Sequence, residues 1–153
     1  MRFIGNIEAK MDAKGRVFLP ATFRKILQNG DCNTLIIRKD AFQQCLVLYQ
    51  IAEWNAETSE LRQRLSKWDA KEQQIFRQFV ADAEQVSLDA NGRILIPKRY
   101  IKSAELTQNV RFLGMGDTIE LWNAENSNKF FLEANAFGKA LEEVMTGNKK
   151  NEG

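Results

Sequence analysis

The sequence predicts an α+β fold with a mainly β core: two tandem units of one plan, a helical insert between them and a helix after the second. The first observation is an internal repeat. Asp12-Ala13-Lys14-Gly15-Arg16-Val17-Phe18-Leu19-Pro20 returns as Asp89-Ala90-Asn91-Gly92-Arg93-Ile94-Leu95-Ile96-Pro97. Five of the nine positions are identical, three more keep an apolar residue, and the two aspartates lie 77 residues apart. The second observation is that each copy is followed by a short helical pattern and two brief apolar runs, as expected of a duplicated β-rich unit. The third is the helical spacing of apolar residues between and after the copies.

In chain order, residues 3–10 partly alternate and read as a strand. Asp12 to Gly15 is a turn, because the carboxylate can accept N–H groups two residues on and Gly takes a positive φ without strain. Residues 16–19 form the next short strand, which makes a β-hairpin with Arg16 where the chain leaves the turn. Pro20 stops that strand and suits the first turn of a helix. Phe23, Ile26 and Leu27 share one face of this helix, and Gln28-Asn29-Gly30 closes it. Residues 35–37 and 46–49 are two more strands.

The second copy repeats the plan. Residues 83–88 lead in, 89–92 turn and 93–96 form the strand, and Pro97 opens a helix with Tyr100, Ile101 and Leu106. Residues 110–113 and 119–122 are the closing strands, around a turn at 114–117.

In the insert, Trp54, Leu61, Leu65 and Trp68 are spaced by seven, four and three and form one stripe. Asp69 caps a following helix with Glu72 in the capping-box position, and Ile75, Phe76, Phe79, Val80 and Ala83 lie on one side of it. Phe130, Ala134, Phe137, Leu141 and Val144 mark a C-terminal helix, which Gly138 weakens by about 1 kcal/mol relative to Ala. Stripes of this kind ordinarily face a core, but two small β units leave room for some to be subunit contacts. The units are placed at 5–52 and 82–125, the helical connection at 53–81, the last helix at 126–146 and a disordered tail at 147–153.

A length of 153 residues, with 44% hydrophobic and 27% charged residues, is that of a soluble globular chain of one domain or two small ones sharing a core. No apolar run is long enough to span a membrane, and the first residues do not resemble a signal peptide, so the expected compartment is the cytoplasm. Cys32 and Cys45 read as buried or idle thiols, since neither His nor a Cys-x-x-Cys accompanies them. The net charge of +2 is unevenly spread: +5 over residues 1–39 and +3 over 88–113, against −3 over 40–87 and −3 over 114–153. Positive charge therefore travels with the repeats, as it would in a protein presenting a basic face to a polyanion.

The chain has no His, which removes Ser-His and Cys-His catalysis and the usual His-bearing metal sites. No phosphate-binding loop or dinucleotide fingerprint is present. Asp12 and Asp89 could pair as acid and base, but their position before a turn Gly is explained by the turn itself. The expectation is no enzyme activity, no cofactor, no metal and no small-molecule substrate.

Binding is better supported. Each turn carries an Arg beside a Gly, with Lys14 and Arg24 as further cations in the first unit and Lys98 and Arg99 in the second. A guanidinium can grip phosphate bidentately or read O6 and N7 of guanine, and a two-stranded ribbon fits the major groove. The candidate DNA-binding residues are Arg16, Arg93, Lys14, Arg24 and Lys98. Asp12, Gly15, Pro20, Asp89, Gly92 and Pro97 are the structural turn residues. The alternative from a different class is a scaffold whose basic face holds an acidic protein surface.

At these residues the chain resembles the MraZ family, bacterial transcriptional regulators built from two tandem SpoVT–AbrB-type units. The resemblance rests on Phe3, Gly5, Asp12, Lys14-Gly15-Arg16, Pro20 and Phe23-Arg24, then on Leu88-Asp89, Gly92 to Pro97 and Ile119-Glu120-Leu121-Trp122, and it covers about residues 1–125. It implies that two swapped-hairpin units interlock as an intrachain pseudo-dimer, and that subunits form a ring with its Asp-x-x-x-Arg loops on one face. That face would bind short direct repeats of double-stranded DNA upstream of the protein's own gene, in a cell-division and cell-wall cluster, which implies association with the nucleoid. Arg16 and Arg93 become the leading DNA contacts. Asn91 replaces Lys14 in the second loop, so the two loops are expected to contribute unequally. A single-unit AbrB-like antitoxin is the neighbouring alternative.

Overall fold

The described residues form eight strands and six helices, with the strands where the alternation and turn signals place them, but strand pairing is not local. The computed structural model describes residues 2–30 and 33–147, without the side chains of residues 127 and 128. Cys32 and the expected disordered tail from residue 148 on lie outside the described residues. The order is β1 (Asn6–Lys10), β2 (Arg16–Phe18), α1 (Ala21–Asn29), β3 (Thr34–Lys39), β4 (Leu46–Tyr49), α2 (Ile51–Arg64) and α3 (Ala70–Ala81). The second half adds β5 (Glu84–Ser87), β6 (Arg93–Leu95), α4 (Lys98–Ser103), β7 (Asn109–Gly114), β8 (Thr118–Asn123), a 3-10 turn (Ala124–Asn126), α5 (Ser127–Phe130) and α6 (Ala134–Met145).

Six strands form one antiparallel sheet in the order β1-β7-β8-β4-β3-β5, and β2 and β6 form a separate two-stranded ribbon. The order is a palindrome of the two units. Each lead-in strand, β1 or β5, lies beside the third strand of a unit, and β1 takes that partner from the second unit while β5 takes it from the first. A pseudo-twofold axis passes between β4 and β8, where Val47 faces Glu120, and through the ribbon, where Val17 faces Ile94. This is the interlocked pseudo-dimer.

The local hairpin expected from the first unit is corrected here. β1 pairs with β7 and β2 with β6, so the two arms of each turn leave for different partners. β2 is three residues long with one inward side chain, Val17. That residue is sequestered by Ile94 across the ribbon instead of by β1.

One core fills the space between the sheet and the ribbon. Val17, Leu19, Phe23, Leu27, Leu35, Ile37 and Leu48 meet Ile94, Ile96, Tyr100, Val110, Phe112, Ile119 and Leu121, so both units supply it. Pro20 and Pro97 are the residues that cap α1 and α4, one position earlier than a proline inside the first turn. On the other face of the sheet, Trp54 of α2 covers Tyr49 at 5.2 Å and stacks on Phe79 of α3 at 5.5 Å. Arg38 is buried beneath them: its Nε donates to the Tyr49 hydroxyl (3.1 Å) and its guanidinium lies 4.2 Å from the Phe79 ring. Cys45 is also buried, and desolvation pushes its thiol well above the ordinary range.

Two helical expectations change. The Trp54–Leu61–Leu65–Trp68 stripe stops short, because α2 ends at Arg64 and Leu65 turns extended (φ −112°, ψ 144°). Trp68 is consequently 95% exposed. Asp69 does cap α3, accepting from Lys71 N and Glu72 N, whereas the Glu72 carboxylate accepts from Ser66 N (2.6 Å) and not from the cap. The single helix expected over 126–146 is broken after Phe130, which turns back onto Trp122 (5.1 Å between rings). α6 then starts afresh under a Glu133 cap. No residue of α2, α3 or α6 is fully buried: Trp54 and Phe79 pack over the second face of the sheet, whereas Ile75 and Val80 of α3 and Phe137, Leu141 and Val144 of α6 are exposed.

Because β1 needs a strand that its own unit does not offer, a segment of residues 1–50 alone should be unfolded or dimeric. Circular dichroism and sedimentation of that segment test this, and a folded monomer would contradict the swapped pairing.

Candidate nucleic-acid interface

The repeated phrase builds two loops of one geometry. In the first, Asp12 Oδ1 accepts the N–H groups of Lys14 (3.0 Å) and Arg16 (2.9 Å), and Oδ2 accepts Arg16 Nε at 2.8 Å. In the second, Asp89 Oδ1 accepts from Asn91 N (2.9 Å) and Arg93 N (2.9 Å), and Oδ2 from Arg93 Nε at 2.9 Å. Gly15 N donates to the Asp12 carbonyl and Gly92 N to that of Asp89, both at 3.0 Å. The glycines take φ of +89° and +86°, the left-handed region that a side chain resists.

The carboxylate is thus an orienting group. The Arg16 backbone N–H, with the guanidinium and the Lys14 N–H, holds the Asp12 carboxyl below its ordinary 3.8. The Arg93 backbone N–H leads the same effect at Asp89. Each guanidinium is tethered through Nε, and its two Nη atoms have no partner among the described residues. A tethered Arg with a free fork is prepared for a planar, bidentate acceptor.

The loops are locked to one another. Leu19 N donates to the Gly92 carbonyl (3.1 Å) and Ile96 N to that of Gly15 (2.8 Å), so each strand continues past the other unit's turn. In the ribbon, Arg16 lies opposite Leu95 and Phe18 opposite Arg93. Val17 and Ile94 point into the core, leaving Arg16, Phe18, Arg93 and Leu95 on the outward face.

The other candidates separate. Lys14 and Lys98 are exposed. Arg24 is half-buried and donates through Nη1 to the Leu19 carbonyl at 2.6 Å. Its Cδ stands 2.8 Å from where a Cβ of Gly92 would be, so this first-unit cation sits against the second loop. The equivalent place at Gly15 is filled by Ile101. A cleft of about 350 Å³ opens beside this second loop, between Arg24, Leu27, Asn33, Leu88 and Asn91. Arg99 is committed internally, to Glu84 (2.8 Å), to Asp82 (3.0 Å) and to the Tyr100 ring (4.1 Å).

The sequence groups Arg24 with the cations of the first unit, and the structure sets it against the loop of the second; sequence reasoning passed over Phe18 and Leu95. Alternation within a three-residue strand would have placed those two beside the arginines. Among the described residues, no group of three or more His, Cys, Asp or Glu could hold a metal ion, and no helix is long and apolar enough to cross a membrane.

Comparison with known proteins follows the same two-unit division. The family described as "MraZ protein, putative antitoxin-like" matches twice, at residues 3–78 and 79–147. A protein of Bacteroides fragilis named "Transcriptional regulator MraZ" is 59% identical over 145 residues, covering 95% of this chain and 92% of its own. One of the same name from Phocaeicola vulgatus is 57% identical over 148 residues, 97% of this chain and 96% of its own. A more distant one, from Legionella pneumophila, is 35% identical over 115 residues, 75% of each chain.

Two predictions follow from the loop geometry. A Cβ on Gly92 would meet Arg24 in a backbone conformation that side chains resist, so Gly92→Ala should lower stability by about 1–3 kcal/mol in chemical denaturation. A depressed native pKa means the carboxylate's contribution is complete above the unfolded value and is lost only as pH falls through the native one. Carboxyl titration by NMR should therefore give midpoints for Asp12 and Asp89 below 3.8. A midpoint at or above that value would remove the orienting role.

Proposed function

The chain belongs to the MraZ family of transcriptional regulators, which is not a family of enzymes, and from that premise we propose that it regulates transcription by binding double-stranded DNA sequence-specifically. The observation that carries this reading is the pair of Asp-tethered arginines on the outward face of one ribbon, each with an Nη fork that has no hydrogen-bond partner among the described residues. Such a fork matches the O6 and N7 acceptors of guanine, and a two-stranded ribbon fits the width of the major groove.

The remaining cations divide by role. Lys14 and Lys98 are exposed and suit phosphates, which position the protein without reading sequence. Arg24 supports the second loop from beneath and brings to it a cation that Asn91 does not provide. The two loops are then similar in shape and unequal in surroundings.

The DNA sites are short direct repeats upstream of the protein's own gene in a cell-division and cell-wall cluster, bound at the nucleoid by a ring-shaped homo-oligomer. A ring presents the same pair of loops at regular intervals, which suits a repeated site. Outward apolar residues support assembly: Phe137, Leu141 and Val144 on α6, Ile75 and Val80 on α3, and Phe42 in the β3–β4 connection are all exposed in the single chain.

A gel-shift titration on the protein's own upstream DNA tests the reading. Affinity should fall steeply with salt, with a log–log slope of about −0.9 per phosphate neutralised. Arg16→Ala or Arg93→Ala should weaken specific binding by about 1–3 kcal/mol, the usual worth of a bidentate base contact, with the oligomer intact by sedimentation. Unchanged affinity in both variants would overturn the assignment.

A further inference from the structure

The outward face of the ribbon holds two large apolar side chains as well as two arginines. Phe18 is 53% exposed and Leu95 55%, although both flank residues that are fully buried. The pseudo-twofold axis relates Phe18 to Leu95 as it relates Arg16 to Arg93. Each apolar side chain lies directly across the ribbon from the other unit's arginine, Phe18 from Arg93 and Leu95 from Arg16. The Arg93 guanidinium carbon is 5.8 Å from the Phe18 ring centroid. The ribbon therefore presents the same pair twice: a tethered cation with a free fork, and an apolar group one strand spacing away.

Directly opposed residues in an antiparallel ladder have Cβ atoms about 4.5–5.5 Å apart. The complementary surface must offer a planar pair of acceptors and, next to it, a small apolar projection. The major groove offers this where a thymine adjoins a guanine: O6 and N7 accept from the Arg, and the thymine C5-methyl stands beside them. An acidic protein surface would satisfy the guanidinium groups and would meet Phe18 and Leu95 only if it carried an apolar group beside each carboxylate, whereas guanine next to thymine provides that pairing by its own covalent geometry. The free forks of Arg16 and Arg93 make a polyanion the fitting occupant of this face.

We propose that Phe18 and Leu95 are specificity-determining residues that contact thymine methyl groups, Phe18 beside the guanine met by Arg93 and Leu95 beside the guanine met by Arg16. This rests on the DNA-binding reading above. It adds that the preferred site has a thymine next to each contacted guanine, and that the apolar side chains read it.

The test is a gel-shift series at constant salt, using the upstream DNA with each thymine in turn replaced by deoxyuridine, which removes only the methyl. The unaltered protein should lose about fourfold in affinity at specific thymines next to guanine, the change expected for one buried methyl-sized group. Phe18→Ala should bind the unmodified DNA correspondingly less well and be indifferent to deoxyuridine at one set of positions. Leu95→Ala should be indifferent at the other set, and Phe18→Leu should keep most of the sensitivity. Equal affinity for thymine and deoxyuridine DNA throughout, with Arg16→Ala still defective, would overturn this proposal and leave the DNA-binding reading standing. No specific shift by the unaltered protein would sink that reading first. If Phe18→Ala disperses the oligomer in sedimentation and keeps the full deoxyuridine sensitivity, Phe18 is a subunit contact and the proposal falls.

Discussion

The exchange of strand partners between the two units is the constraint from which the rest follows. β1 and β2 leave the first turn for β7 and β6, both in the second unit. A short strand with one inward residue is a poor structure by itself. Val17 and Ile94 resolve this by facing each other on the pseudo-twofold axis, beneath a shared core. Neither turn can then move without disturbing a strand of the opposite unit, because the Gly15 and Gly92 carbonyls are bonded by Ile96 and Leu19. The two arginines are held at a fixed separation for this reason, which is what the proposed reading of one groove would require.

Within that symmetry the loops diverge in their surroundings and not in their internal bonds. The Asp-to-Arg distances agree to within 0.1 Å, at 2.8 and 2.9 Å. The differences are Lys14 against Asn91 at the turn and Ile101 against Arg24 beneath the glycine. An apolar support under the first loop leaves its exposed Lys as the extra cation. The second loop lacks that Lys but rests on a guanidinium. Duplication has kept the device that aims the Arg and exchanged the positions of the supporting charge.

The far side of the sheet follows a different economy. Arg38 is buried between Tyr49, Glu57 and Phe79, with Tyr49 donating to the Glu57 carboxylate at 2.7 Å. Removing Tyr49 or Glu57 would leave the buried Arg38 short of partners, and the same contacts tie α2, through Glu57, and α3, through Phe79, to the sheet. Glu120 is buried near the axis, where desolvation raises its carboxyl and the Trp122 indole N–H, donating to it at 2.8 Å, offsets part of that. Arg38 and Tyr49 tie the two helices to this face, whose apolar residues include Ile36, Val47, Leu113 and Trp122.

Much of this was legible in the residues. Asp12, Gly15 and Arg16 contact one another within five positions, so the turn, the positive φ and the tethered Arg are properties of the local sequence, and the second copy repeats them. Strand positions, the ends of α1 and the Asp69 cap are legible for the same reason. Two helix ends were not legible in the periodicity, and at the loops a distant residue decided. The stripe through Trp68 broke because α2 stops at Arg64, and the last helix broke where Phe130 meets Trp122. Arg24 belongs to the loop at Gly92, and Phe18 to the arginine at 93, only once β2 has chosen β6. Strand pairing joins residues far apart in the chain, and its free energy comes from a core that neither unit closes alone. The sequence by itself therefore determined what each loop is, and the tertiary structure decided which residues stand beside it.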